Sequence, residues 1–328
     1  MKVPRWIATF FVFALIASLA ACAPAATPKL MPVTLQLRWT YTAQFAGFYA
    51  GDQNGYYTAE GLTISFREGG SNVDFVGSVE DGRAQFGIAN ADALILARAE
   101  GKPLRAIATI YRRSPSVYIA LAESGIQKPQ DFVGKRIWVV PVSAPIFHTM
   151  MARVGIAPSQ YTEVNVAANM TPLYSGEVDV SVGFVTNEVL TAQAAGYKLN
   201  LIYPDDYGVH FYADTLFTTD DLIAKNPDLV RRFLRATLKG WTYAVENPAV
   251  IGLLVLKYNA AAEAALETVK MTASILLVNT GEDNIGWMKP EVWAGMEKTL
   301  REQGVLTKTV TITDVYTMQF LNGIYPTR

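Results

Sequence analysis

The sequence of 328 residues has a single cysteine, Cys22, and two histidines, His148 and His210. One cysteine excludes a disulfide within the chain and any zinc or iron–sulfur site built from several thiolates. A chain of this length buries enough apolar surface to fold without a cross-link. Charge of one sign is also scarce. The formal net charge is -1, and removal of Lys2 and Arg5 with a leader gives -1 - 2 = -3. With no basic stripe, the sequence lacks the footprint of a nucleic-acid binder. Beyond residue 21 no apolar run reaches membrane-spanning length, and no internal period of repeat length occurs.

The amino terminus carries the one long apolar run. Lys2 and Arg5 precede Trp6–Ala21, which ends in "LAAC", Leu19 to Cys22. A basic start, a short apolar stretch and a terminal cysteine are similar to a bacterial lipobox, in which the cysteine sulfur is acylated. The expectation is a signal peptide over 1–21, lipidation at Cys22, and a tether over 22–32, rich in small residues and proline. The body is then extracytoplasmic and held to the membrane by lipid alone.

From Val33 onward, β-rich runs such as "VTLQLRW", "LTISFRE", "AQFGIAN" and "LRAIATIY" alternate with helical patterns. The pattern restarts after residue 115 with "SVYIALAES", "KRIWVV", "YTEVNV", "VSVGFV" and "KLNLIYP", and turns mostly helical from Thr219. Such alternation predicts an α/β fold with a parallel sheet and flanking helices in each of two lobes. Lobe one is expected over 33–115 and 213–328, lobe two over 116–212. Extended crossings near Ser116–Ala122 and His210–Thr218 would join them. Ligand would sit between the lobes, where strand carboxyl ends and helix amino ends converge.

Four stretches then carry a resemblance: "LRWTYTAQFAGFYAGDQNGYYTAEGL", "FVGKRIWV", "VTNEVL" and "DDYGVHFYADTLFTT". Together they resemble the solute-binding lipoproteins of ABC importers in the thiamin-pyrimidine-precursor family, across about Val33 to Tyr325. The resemblance implies a two-lobe periplasmic binding protein fold of the Venus-flytrap kind, a permease partner and a monomeric receptor. Members of that family bind aminopyrimidines, riboflavin, nitrate or sulfonates, and one branch contains a yeast pyrimidine synthase. The synthase branch is marked by a cysteine-rich segment and by a histidine and a lysine acting on pyridoxal phosphate. Here the body has no cysteine, and His148 and His210 lie in no recognisable catalytic spacing, so neither enzyme activity nor a cofactor is expected.

Position at strand ends selects the candidate ligand-binding residues. Lobe one offers Trp39, Tyr41 and Gln44, then Gly70 and Ser71 beside Gly69, then Asn90 and Asp92. Small residues in "GGS" would let backbone amides approach a ligand. Lobe two offers Phe147, Asn169, Phe184, Asn187 and Glu188, the last two supported by the resemblance around "NE". The crossings add Tyr111, Tyr207 and Tyr212. Phe45 and Phe48, at helical spacing, are expected in the core, and Arg112–Arg113 is expected to be a solvated pair. Aromatic faces, amides and carboxylates without a fixed cation suit a flat, neutral, hydrogen-bonding ring better than an oxyanion. The "QFAGFY" and "NEV" patterns are similar to flavin-binding members, which implies riboflavin, with an aminopyrimidine as the alternative if the pocket is small.

Overall fold

The computed structural model describes residues 30–167 and 169–325. The leader, Cys22 and the tether up to residue 29 lie outside the described residues.

Among the described residues ten strands form two sheets of five. In chain order they are β1 (Met31–Gln36), β2 (Leu62–Arg67), β3 (Phe86–Ala89), β4 (Leu104–Tyr111), β5 (Ser116–Leu121), β6 (Arg136–Trp138), β7 (Thr162–Val164), β8 (Val180–Phe184), β9 (Leu199–Ile202) and β10 (Ala213–Thr219). Sheet one runs β2-β1-β3-β10-β4 and sheet two β7-β6-β8-β5-β9. Helices cover the sheets, as expected for an α/β two-lobe fold.

The sheets are mixed rather than parallel. β1 pairs in parallel with β2 and β3, whereas β10 pairs antiparallel with both β3 and β4. Likewise β6 pairs in parallel with β7 and β8, while β5 runs antiparallel to β8 and β9. The two extended crossings are therefore working sheet members, each inserted beside a strand of the lobe it enters. Hydrophobic alternation reports burial and not strand direction, so the sequence could not reveal this. Edge strand β2 alternates buried or half-buried positions with exposed ones, and the inner strands β3 and β10 are buried on both faces.

The aromatic stretch after β1 opens the first helix. Thr42 caps a short 3-10 turn by accepting the Gln44 amide, and the α-helix Ala46–Gln53 follows. Gly55, at φ 70°, turns the chain out of it. Phe45 and Phe48 are buried in the core, with the Phe48 ring edge-on to Trp241 at 5.6 Å. The glycines in "AGFYAG" have a packing task. A Cβ at Gly47 would stand 2.2 Å from the Trp241 ring, and one at Gly240 would stand 2.1 Å from the Gly47 carbonyl. These absences let helix Ala46–Gln53 rest directly on the long helix Pro227–Glu246. That helix buries Leu229, Val230, Phe233, Leu234, Leu238 and Trp241, an i, i+4 stripe that faces the core. Helix Ala264–Val278 touches both lobes: Tyr111 Oη of lobe one donates to Ser274 at 2.9 Å, and the helix also packs on Glu188–Ala194 of lobe two.

Candidate ligand-binding site

A cavity of about 60 Å³ lies between the sheets, with walls from both. Lobe one contributes Arg38, Trp39, Gln44 and Asn90, all just past the carboxyl ends of β1 and β3. Lobe two contributes Trp138 at the end of β6, Phe184 at the end of β8, and then Glu188, among others. The convergence of strand ends follows from the topology.

On the lobe-one side a buried polar cluster forms the floor. Asp214, at the start of β10, accepts from Arg38 Nη1 at 3.3 Å and from Gln44 Nε2 at 3.1 and 2.9 Å. Asp214 has a φ of 31°, a left-handed conformation that usually belongs to glycine. Three hydrogen bonds to its carboxylate help hold it there. Burial raises its carboxyl above the ordinary range, opposed by Arg38 and by the Gln44 hydrogen bond. The Arg38 guanidinium lies over the Phe184 ring at 5.1 Å, so a cation–π contact joins the lobes across the cavity.

On the lobe-two side Glu188 braces the turn that follows β8. Its Oε2 accepts the Phe184 amide and its Oε1 accepts Asn187 Nδ2, each at 2.7 Å. Burial raises the Glu188 carboxyl, and the Phe184 amide, its own amide, Lys270 and Asn187 oppose this. Gly183 is required beside it, because a Cβ there would stand 2.7 Å from Glu188 Cβ. Lys270 belongs to a second buried pair. Its Nζ meets Glu267 Oε1 at 2.6 Å, and Glu267 Oε2 accepts the Ala43 amide at 2.6 Å.

Of the candidates named from strand ends, the structure brings Trp39, Gln44, Asn90, Asn169, Phe184 and Glu188 into the cavity wall. The others have partners elsewhere. Tyr41 turns its hydroxyl to the Phe66 carbonyl at 3.0 Å and its ring to Tyr49 and Tyr258. Tyr111 is buried behind the wall with its hydroxyl on Ser274. Phe147 is core of lobe two, among Tyr118, Phe132 and Tyr161. The Tyr212 hydroxyl accepts the Lys289 amide at 3.1 Å and its ring packs on Trp293. Tyr207 sits in the 3-10 turn Pro204–Tyr207, outside the wall, and Asn187 serves Glu188.

Gly70 and Ser71 also lie outside the wall. Their neighbour Gly69 packs on backbone: its amide donates to the Trp39 carbonyl at 3.0 Å, and a Cβ would stand 2.3 Å from Arg38. Gly69 thus admits the chain before Trp39. Asp92 is fully buried, and no side chain donates a hydrogen bond to its carboxylate. Burial pushes its carboxyl up to about 7, against the amides of the first helical turn and the Arg38 charge. Arg112 is not solvated as expected. It is buried, with Nη2 2.5 Å from Asp283 and Nη1 2.6 Å from Thr280, and only Arg113 is exposed.

Arg38 and Trp138 are the large polar-edged wall residues that sequence reasoning missed, beside the smaller Ser116, Val140, Ser143, Val182 and Gly183. The same strand-end rule applied one residue earlier in "RWTY", and to "RIWVV" in lobe two, would have found both. His148 and His210 are exposed, paired with Glu163 and Asp205, and absent from the wall. Among the described residues no helix is long and apolar enough to cross a membrane.

Two mixed sheets with a cavity between them define a periplasmic binding protein fold. Solved structures agree. A Bordetella bronchiseptica protein matches with a TM-score of 0.75 at 18% identity, covering 91% of this chain and 99% of its own. The aliphatic sulphonate binding protein SsuA of Escherichia coli matches with a TM-score of 0.65 at 15% identity, covering 88% and 91%. The NMT1/THI5-like family model matches residues 42–251, and the chain belongs to that family. Its relatives include the riboflavin-binding protein RibY of Chloroflexus aurantiacus, 26% identical over 93% of this chain and 90% of its own. They also include the formylaminopyrimidine-binding protein of Halalkalibacterium halodurans, 26% identical over 88% and 90%. The 4-amino-5-hydroxymethyl-2-methylpyrimidine phosphate synthase of Legionella pneumophila is 28% identical over 66% and 70%. The chain thus has a periplasmic binding protein fold and belongs to a family whose members include solute-binding proteins as well as pyrimidine phosphate synthases.

Proposed function

We propose that this protein is the receptor of an ABC importer, anchored outside the cell through a lipid on Cys22, that captures a flat neutral heterocycle and hands it to a permease without chemical change. The best-matched ligand is riboflavin. The observation that carries the reading is the interlobe cavity itself, walled by the rings of Trp39, Trp138 and Phe184 and edged by the amides of Gln44, Asn90 and Asn169. Rings supply stacking faces and amides supply paired donors and acceptors. The riboflavin-binding and formylaminopyrimidine-binding relatives support that ligand class. Arg38 is neutralised by Asp214, which disfavours nitrate or a sulfonate. Turnover is disfavoured because neither histidine reaches the cavity.

A second reading, an aminopyrimidine ligand, has its own support. The cavity of about 60 Å³ is far below the 300–1,000 Å³ usual for ligand pockets, so a small ring needs less opening than a flavin. Either ligand requires the lobes, proposed as 33–115 with 213–328 against 116–212, to part at the chain crossings and close again. Titration of riboflavin fluorescence, paired with calorimetry of an aminopyrimidine, tests the proposal. Saturable quenching with the flavin recovered intact is the expected result. Absence of binding by either compound, or conversion of one, overturns it.

A further inference from the structure

Two residues that line the cavity each carry a buried donor that meets no acceptor within the protein. One is Arg38 Nε–H in lobe one, the other the Trp138 indole N–H in lobe two. Both side chains are deeply buried, at 6% and 2% exposure. A buried donor left unmet is costly, by about 1–3 kcal/mol, and native proteins rarely tolerate it without a reason. Neither group can accept a hydrogen bond, so only an acceptor satisfies it.

Charge narrows the acceptor further. The Arg38 cation already has Asp214 at 3.3 Å, and that carboxylate is held in place by Gln44 and by its own left-handed backbone. The face of the guanidinium is occupied by Phe184. The wall also contains the Glu188 carboxyl group. An anion entering here would meet no unbalanced positive charge and would lie near Asp214 and Glu188. A neutral oxygen or nitrogen lone pair meets a donor without that repulsion.

We propose that the ligand presents two neutral acceptors, carbonyl oxygens or ring nitrogens, one to Arg38 Nε–H and one to the Trp138 indole N–H. Arg38 and Trp138 are then specificity-determining residues, and because they sit on opposite lobes the two hydrogen bonds form together only when the lobes have closed. The inference rests on the flat-heterocycle reading and adds which polar edge the heterocycle must carry. It excludes ligands whose polar edge holds donors alone.

The test uses Trp138→Phe, which removes the N–H and keeps a ring in the wall, with riboflavin, a 2-methyl-4-aminopyrimidine and methanesulfonate as probes. The indole and guanidinium N–H resonances are followed by nitrogen-edited NMR of the whole protein. The expected result is a downfield shift of the Trp138 indole proton and the Arg38 Nε proton on binding a neutral ring. Trp138→Phe should weaken that ring about tenfold, the net worth of one hydrogen bond near 1.4 kcal/mol. Riboflavin binding with an unmoved indole resonance and unchanged affinity in Trp138→Phe overturns this inference and leaves the flavin reading standing. Binding of the aminopyrimidine alone, with the shift, defeats the flavin reading and supports this one. Tighter binding of methanesulfonate than of either ring, or no response to any probe, overturns both.

Discussion

Replacing Asp92 by asparagine should change the pH dependence of stability while scarcely changing shape. Asp92 is fully buried, no side chain donates a hydrogen bond to it, and it lies near Arg38 of its own lobe and Tyr118 of the other. Its carboxyl rises from 3.8 to about 7 in the folded protein. The folded state therefore holds a proton that the unfolded state has released across that interval. For an acid shifted upward, the stabilising contribution is complete below about pH 3.8 and is lost as pH rises through 7. A shift of about three units corresponds to roughly 4 kcal/mol at 1.36 kcal/mol per unit. At roughly 2 °C per kcal/mol for a chain of this size, the loss is on the order of 8 °C in Tm. Asparagine cannot ionise, so Asp92→Asn should gain about that much on the wild type between pH 4.5 and pH 8. Glu188 and Asp214, also raised by burial, titrate in both proteins and cancel in the difference. Calorimetric melting of the two proteins across that range is the assay. A Tm difference that stays constant with pH would refute the reasoning, because it would mean Asp92 is ionised, or neutral, alike in both states.

Trp39→Ala should weaken heterocycle binding by about tenfold with little change in Tm, since ring stacking contributes on the order of 0.5–1.5 kcal/mol beyond area and Trp39 stands in the wall. Phe48→Ala should do the reverse, with roughly 3–5 kcal/mol lost from folding, because Phe48 is 1% exposed against Trp241; titration and melting of both variants read the contrast. Gly240→Ala should destabilise by about 1–3 kcal/mol or more, because the new methyl would meet the Gly47 carbonyl; a urea midpoint equal to that of the wild type would show that the helix contact yields freely.

Strand ends were the legible part of the site. Trp39, Gln44, Asn90, Asn169, Phe184 and Glu188 all follow from the rule that ligands meet the carboxyl ends of strands. Tyr41, Tyr111, Phe147 and Tyr212 obey the same positional logic and yet turn away. What decides a ring's side is its partner, and those partners (Phe66, Ser274, Tyr161, Lys289) are distant in sequence. Arg112 shows the same limit for charge. Two adjacent arginines look solvated until Asp283, far along the chain, folds against one of them. Local pattern reported helices and strands well. It was silent on the antiparallel insertion of β5 and β10, which depends on where the chain goes after it leaves a lobe.

That insertion also sets an order of events during synthesis. β10 lies between β3 and β4, so edge strand β4 is cut off from β2, β1 and β3 until residues 213–219 emerge. All five strands of sheet two lie between residues 116 and 202, an unbroken stretch that needs nothing later in the chain to complete its pairing. At ribosomal rates the interval between β4 and β10 is roughly 5–20 seconds. During it β3 and β4 each expose an unpaired hydrogen-bonding edge, the kind that recruits foreign strands. The second lobe to begin is thus the first able to finish, and a chain cut at residue 212 would carry one complete sheet and one whose edge strand β4 has lost its neighbour.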